Sequence, residues 1–218
     1  VDSLIPRLRE IFELTYFQAG LVQFAFFIAY GLVSIPAGKL LQRIGYQRGI
    51  IVGLAVMGIG CLLFLPAASL RWYGLFLLAY FILASGMTLL QVAANPFVTV
   101  LGEPATAASR LNLSQAFNSL GTTVAPALGA IFILSDSVLS SDELARLDES
   151  SKSAYFSVEA SAVQGPFLFL ALALFMLAAV ILKSELPKLL KESPDSQYGQ
   201  VLKERKLVLG AIGIFVYV

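Results

Sequence analysis

The chain has 218 residues, of which 58% are hydrophobic and 13% charged, and its formal net charge is +1. This balance is far more apolar than that of soluble domains and predicts an all-α membrane protein, while the small net charge excludes a strongly basic nucleic-acid-binding protein. Cys61 is the one cysteine and histidine is absent, so we expect no disulfide, no metal site, no cofactor and no enzymatic activity.

Five segments are long and apolar enough to cross a bilayer, which takes about 20 residues each. The apolar run 207–218 is only about half that length, which predicts that the chain is a fragment in which another helix has just begun. We therefore expect a transmembrane bundle over 1–183 with a truncated first helix, a cytoplasmic linker over 184–206, and the start of the next helix over 207–218. The full spans are predicted at 17–37, 49–65, 73–100, 111–134 and 165–182.

The charges of the connecting segments predict the orientation of the bundle. Most Lys and Arg residues fall on one side of the alternating spans, in the segments 38–48, 101–110 and 184–206. The positive-inside rule places these segments in the cytoplasm, and so predicts a multi-pass protein of the inner (plasma) membrane. The segment 135–164 collects acidic residues and is predicted to be an external loop, in which Ser140 and Glu143 form a capping box.

Polar side chains are distributed unevenly among the spans. The spans 49–65 and 165–182 have apolar interiors, so we expect them at the lipid-facing periphery. The other three carry amides and hydroxyls at helical spacing, which predicts that they face a polar cavity. The alternative for any single amide is contact between helices. The candidate solute-binding residues are Gln23, Tyr30, Gln91, Asn95, Gln115 and Asn118.

The chemistry of these side chains favours a neutral solute. Each amide offers two donors and an acceptor, which suits vicinal hydroxyl groups of a sugar, whereas a phosphate or dicarboxylate needs clustered cations. The predicted function is transport of a neutral monosaccharide across the lipid bilayer. Two alternatives stand beside it: efflux of amphipathic compounds, which favours a more apolar cavity, and a membrane receptor or scaffold that transports nothing.

Two segments carry a family resemblance. Residues 38–49 (Gly-Lys-Leu-Leu-Gln-Arg-Ile-Gly-Tyr-Gln-Arg-Gly) look like the loop between the second and third helices of the major facilitator superfamily. The run 93–102 (Ala-Ala-Asn-Pro-Phe-Val-Thr-Val-Leu-Gly), followed by 110–119 (Arg-Leu-Asn-Leu-Ser-Gln-Ala-Phe-Asn-Ser), resembles the fucose/proton symporter family, which includes glucose and galactose transporters.

The resemblance implies a fold of twelve helices, of which this chain is the amino-terminal six-helix half, with a central sugar site opening alternately to each side. It implies that Asp2 is a coupling carboxylate for H⁺ or Na⁺, that Gln115 and Asn118 lie near the sugar, and that the carboxy-terminal half is required for transport. Gln91 stands where the fucose member has a glutamate, which favours the glucose/galactose branch. Gln42 replaces the acidic residue usual in the superfamily loop.

Overall fold

The structure, a computed structural model, describes residues 15–133, 147–184, 186, 205 and 208–209. This part of the chain is helical and contains no β-strand. Helix α1 covers Tyr16–Leu70, α2 Tyr73–Val100, a short 3₁₀ helix Pro104–Thr106, α3 Ala107–Ile133, and α4 Glu149–Lys183. The predicted linker after Ser184 and the run 207–218 lie almost entirely outside the described residues, as do Asp2 and the capping box at Ser140.

Helix α1 contains two of the predicted spans. It begins at a capping box, in which the Thr15 hydroxyl accepts a bond from the Gln18 backbone N–H and the Gln18 side chain accepts one from Thr15 N. Helical geometry breaks only at Gly45, whose φ of 81° and ψ of 169° divide α1 into a first arm (residues 16–44) and a second arm (residues 46–70). A φ in this region favours glycine. The segment 38–48, predicted as a loop, is therefore helical on both sides of one glycine.

The remaining helices match the other spans with two corrections. Helix α2 has the predicted bounds, whereas α3 begins at Ala107 instead of residue 111. Helix α4 begins at Glu149, so residues 149–164, which were predicted as part of an external loop, are helical. Within the described part of the chain, three helical stretches are long and apolar enough to cross a membrane: Gly20–Leu70, Tyr73–Val100 and Gln164–Lys183.

The second arm packs between α2 and α4. Close approach to α2 depends on glycine: a Cβ on Gly86 would lie 2.5 Å from the Met57 nitrogen, and one on Gly60 would lie 2.7 Å from the Leu83 nitrogen. On the side facing α4, Gly58 accommodates the Phe175 ring. This arm, predicted to lie at the periphery, has a mixed environment, because one stripe is exposed while the rest of its surface forms helix–helix contacts. The exposed stripe contains Val52, Ile59, Leu62, Pro66 and Ser69.

Two apolar clusters hold the bundle together. The first stacks Phe64 on Phe167 with ring centroids 4.2 Å apart and sets Phe76 edge-on to Phe64 at 5.1 Å. Helices α1, α2 and α4 all contribute to it. The second lies toward the Gly45 break and contains Leu41, Leu54, Ala93, Phe97 and Ala178. None of the described α3 side chains (residues 107–128) contributes to either cluster, and those from Gln115 to Leu128 are all exposed.

Side-chain hydrogen bonds fasten both ends of the bundle. At the end with the α1–α2 turn, the Tyr73 hydroxyl donates to Gln18 O at 2.6 Å, and Gln164 donates to Leu65 O and to the Ser69 hydroxyl. The opposite end contains the Gly45 break and the α2–α3 connection, and it is called here the basic end because the segments 38–48 and 101–110 carry Lys and Arg. There Gln47 Nε2 donates to Ile181 O and Ser184 O at 2.8 and 2.7 Å. Each of these carbonyls also accepts a backbone N–H, from Ser184 and Leu186 respectively, so Gln47 adds a second bond to each.

Candidate solute-binding site

Two of the predicted site residues meet across a helix–helix contact. Tyr30 lies on the first arm of α1 and its hydroxyl is hydrogen-bonded to the side chain of Gln91 on α2. Gln91 is exposed while Tyr30 is partly buried, so the pair forms the edge of a polar surface. An amide has more donors and acceptors than one hydroxyl can satisfy, which leaves Gln91 capable of further hydrogen bonds.

An aromatic cluster packs against the Tyr30 ring. The Phe26 ring lies 5.0 Å from the Tyr30 ring and stacks on buried Tyr80 of α2 at 5.6 Å. Aromatic side chains have few rotatable bonds, and Phe26 is held between Tyr30 and Tyr80. The Phe26 ring therefore restricts where the Tyr30 hydroxyl can lie. The fold therefore fixes the position of the hydroxyl that binds Gln91.

The other candidates on these two helices continue the same polar surface. Gln23 precedes Tyr30 by two helical turns and is partly buried. Asn95 follows Gln91 by one turn on α2, is also partly buried, and precedes Pro96. Proline lacks a backbone N–H, so the carbonyl one turn earlier on α2 loses its usual helical partner.

Gln115 and Asn118 occupy a different helix. They lie three residues apart on α3, and both are exposed. Residues at this spacing share a helix face, so their amides project from one side of α3. Within the described part of the chain, no hydrogen bond joins either side chain to the Tyr30–Gln91 pair. The structure thus brings together Tyr30 and Gln91, and it leaves the amides of α3 as a separate exposed stripe.

The electrostatic character of these helices is neutral. Residues 15–38, 49–70, 73–102 and 111–135 contain no Asp, Glu, Lys or Arg. All six candidate residues lie within these ranges. The arrangement can therefore bind through neutral hydrogen bonds and through aromatic faces, which is the chemistry that a sugar offers.

Sequence reasoning missed two polar side chains that organise the basic end. Arg110 and Gln47 were assigned only to cytoplasmic segments, yet each binds carbonyls at the end of a helix. The sequence offers only a weak signal for them, which is the pair of glycines at residues 45 and 102. In the structure both glycines have a positive φ, so the backbone leaves regular geometry there. Asp2, the predicted coupling residue, lies outside the described residues.

Comparison with known proteins gives concordant results. The sequence model of the Major Facilitator Superfamily matches residues 1–218. The chain is 54% identical over 220 residues to a glucose/galactose transporter of Brucella abortus biovar 1 (strain 9-941), covering 100% of this chain and 50% of that protein. It is 40% identical over 200 residues to the L-fucose-proton symporter of Escherichia coli (strain K12), covering 91% of this chain and 46% of that protein.

A solved structure agrees with these sequence matches. The crystal structure of the Major Facilitator Superfamily transporter FucP in the outward conformation superposes with a TM-score of 0.79 and 38% sequence identity. The superposition covers 97% of this chain and 50% of that chain. The chain therefore spans about half the length of the relatives that it matches.

Proposed function

This chain belongs to the Major Facilitator Superfamily, and we propose on that basis that the whole protein carries a neutral monosaccharide of the glucose/galactose or fucose type across the plasma membrane. The proposed mechanism is alternating access of one central site, coupled to the symport of H⁺ or Na⁺ and without covalent change to the sugar. Because the chain spans about half of its relatives, this activity is proposed for the whole protein and not for these 218 residues alone.

One observation carries the proposal. Uncharged hydrogen-bonding side chains on three helices lie among residues that include no charged side chain, and one pair of them, Tyr30 and Gln91, is already joined across two helices. A receptor or scaffold has no need for amides on several exposed helix faces. The printed names of the relatives support a monosaccharide, and the amides on several helices favour it over amphipathic compounds, which call for a more apolar cavity.

Coupling is proposed for Asp2, on the basis of the family resemblance in the sequence Asp-x-x-x-Pro that ends at Pro6. A carboxylate beside a membrane cavity is costly to ionise, and protonation or cation binding relieves that cost. We expect Asp2→Asn in the complete transporter to abolish accumulation of sugar against a gradient while exchange of sugar across the membrane continues. Uphill uptake by this variant at the unmodified rate would remove Asp2 from the coupling mechanism.

The binding site is tested by alanine at Asn118 in the complete transporter. Losing one hydrogen bond to the sugar costs about 1–3 kcal/mol, which is about a fivefold or greater loss of affinity. Gln164→Ala is the matched control, because that amide bonds Leu65 O and Ser69 at the periphery of the bundle and faces no proposed site. The control should lower thermal stability and leave sugar affinity unchanged.

Two results would count against the proposal. Unchanged sugar affinity in a folded Asn118→Ala variant would assign Asn118 to helix contacts. Binding of amphipathic compounds without any binding of glucose, galactose or fucose would contradict the proposed substrate and favour efflux.

A further inference from the structure

Helix α3 carries two of the proposed sugar contacts but packs less closely than any other long described helix. Leu113 and Phe117 are 61% and 66% exposed, and none of the described α3 side chains (residues 107–128) belongs to either apolar cluster of the bundle. Within the described residues, apolar packing therefore contributes little to the placement of α3 against α2. The described side-chain hydrogen bonds between these two helices lie at the start of α3.

A single guanidinium group supplies those interactions. Arg110, in the first turn of α3, donates from Nε to Val98 O at 3.1 Å and from Nη2 to Thr99 O at 2.7 Å, so it binds the last turn of α2. From Nη1 it donates to Glu103 O at 3.1 Å and to the Thr106 hydroxyl. We call this set of bonds the Arg110 clamp. It joins the end of α2, the 3₁₀ helix and the start of α3.

The chemistry of the clamp is specific for arginine. The carbonyls of the last helical turn have no intrahelical partner and lie at the negative end of the helix dipole, so a cation that donates to them is favourable. Only the planar fork of arginine can reach several carbonyls in different directions at once, whereas lysine presents a compact point charge. Three of the four acceptors are backbone carbonyls, so the clamp recognises the path of the chain itself.

Gly102 is an independent sign that the backbone is shaped around Arg110. Its φ is 155°, and a Cβ built on it would lie 3.1 Å from Arg110 Nη1 and 3.3 Å from Cζ. Both distances are shorter than ordinary van der Waals contact. A side chain at residue 102 would push the guanidinium by a few tenths of an ångström and would also strain the backbone.

We propose that Arg110 is a positioning residue for sugar binding: the clamp sets the placement of α3 against α2 and so places Gln115 and Asn118 at the cavity. This inference rests on the proposed function, because it assigns those amides to the sugar. Asn118 lies eight residues beyond Arg110, about 12 Å along the helix. A small tilt of α3 about the clamp therefore becomes a larger displacement of the Asn118 amide. Binding geometry is sensitive to shifts of about 1 Å.

The experiment uses the complete transporter with two variants that disturb the clamp from opposite sides. Arg110→Lys keeps the charge and loses the fork, and Gly102→Ala keeps the arginine and crowds it. Gln47→Ala is the matched control, since Gln47 also binds carbonyls at a helix end but does so on α4, which carries no proposed contact. Sugar affinity is measured by titration calorimetry and stability by thermal unfolding.

Placement of α3 is measured separately from sugar binding. Spin labels at Leu78 on α2 and Leu128 on α3, both exposed, report the distance between the two helices. Both clamp variants should shift or broaden that distance and weaken sugar affinity by about fivefold or more. Gln47→Ala should lower the unfolding temperature and leave the distance and the affinity unchanged. In an Asn118→Ala background, Arg110→Lys should cause a smaller loss of affinity than in the unmodified protein, because part of its effect passes through that amide.

The outcomes separate the two claims. Equal distances in the unmodified, Arg110→Lys and Gly102→Ala proteins would overturn the inference, as would fully additive losses from Arg110→Lys and Asn118→Ala. If the unmodified transporter binds none of the sugars, the proposed function fails, and the distance measurement alone then decides whether the clamp places α3.

Discussion

Replacing Gly86 by alanine should loosen the contact between α2 and the second arm of α1. The new Cβ would lie 2.5 Å from the Met57 nitrogen and 2.8 Å from Gly53 O. Ordinary contact begins at 3.4 Å, so the shortest of these distances falls short by 0.9 Å. Both atoms belong to the backbone and cannot rotate away, so the two helices must separate.

The expected cost follows from that separation. Overpacking of this kind costs about 1–3 kcal/mol, and a gap of about 0.5–1 Å also removes a quarter to a half of the dispersion attraction of the surrounding pairs. Alanine recovers at most about 1 kcal/mol through its higher helix propensity. The net effect on the free energy of unfolding should therefore be destabilising, because the overpacking and dispersion losses together exceed the propensity gain.

The assay is thermal unfolding in detergent, with Gly20→Ala as the control. Gly20 is exposed and a Cβ there would meet nothing within 4 Å, so its substitution should be neutral or stabilising. We expect the Gly86 variant to unfold several degrees below the unmodified protein and the control to unfold at or above it. Equal unfolding temperatures for the two variants would refute the close glycine contact between these helices.

Two further changes test the polar surface and the start of α4. Tyr30→Phe removes the hydroxyl bound to Gln91 at a cost of about 0.5–1.5 kcal/mol. Sugar affinity measured by calorimetry should therefore fall up to about tenfold. A fall in unfolding temperature with unchanged affinity would show instead that the pair is purely structural. Asp148, just before α4, has its pKa lowered to about 2 by hydrogen bonds from the side chains of Ser150 and Ser151. Its stabilising effect is fully present above about pH 4 and is lost as the pH falls through about 2. Carboxyl NMR should show a midpoint near 2 that rises in Ser150→Ala, and an ordinary midpoint near about 3.9 would contradict this.

The sequence predicted the helices better than the connections between them. Hydropathy predicted both bounds of α2 correctly, because polar or charged positions flank this helix closely on both sides. It could not show that α4 begins at Glu149, since the polar first turns of this helix contain no apolar run to mark them. Nor could it show that one residue, Gly45, suffices to interrupt α1, because the charged segment around it is equally compatible with helix and with loop.

The candidate site was predictable in chemical type and not in arrangement. Helical spacing identified Gln115 and Asn118 as one face of α3, and the structure leaves both of them exposed. The bond between Tyr30 and Gln91 joins positions far apart in sequence, and no periodicity contains that information. The Arg110 clamp was equally hidden, because its acceptors are mostly backbone carbonyls, which every residue has.

Sugar uptake by the complete transporter, purified and reconstituted into liposomes, tests the central claim most directly. Labelled glucose, galactose and fucose are offered with an inward gradient of H⁺ or of Na⁺, and empty liposomes and Asn118→Ala serve as controls. The account predicts saturable uptake of at least one of these sugars, accumulation that requires one of the two gradients, and reduced affinity in the Asn118 variant. Uptake equal to that of empty liposomes for all three sugars under both gradients would contradict it.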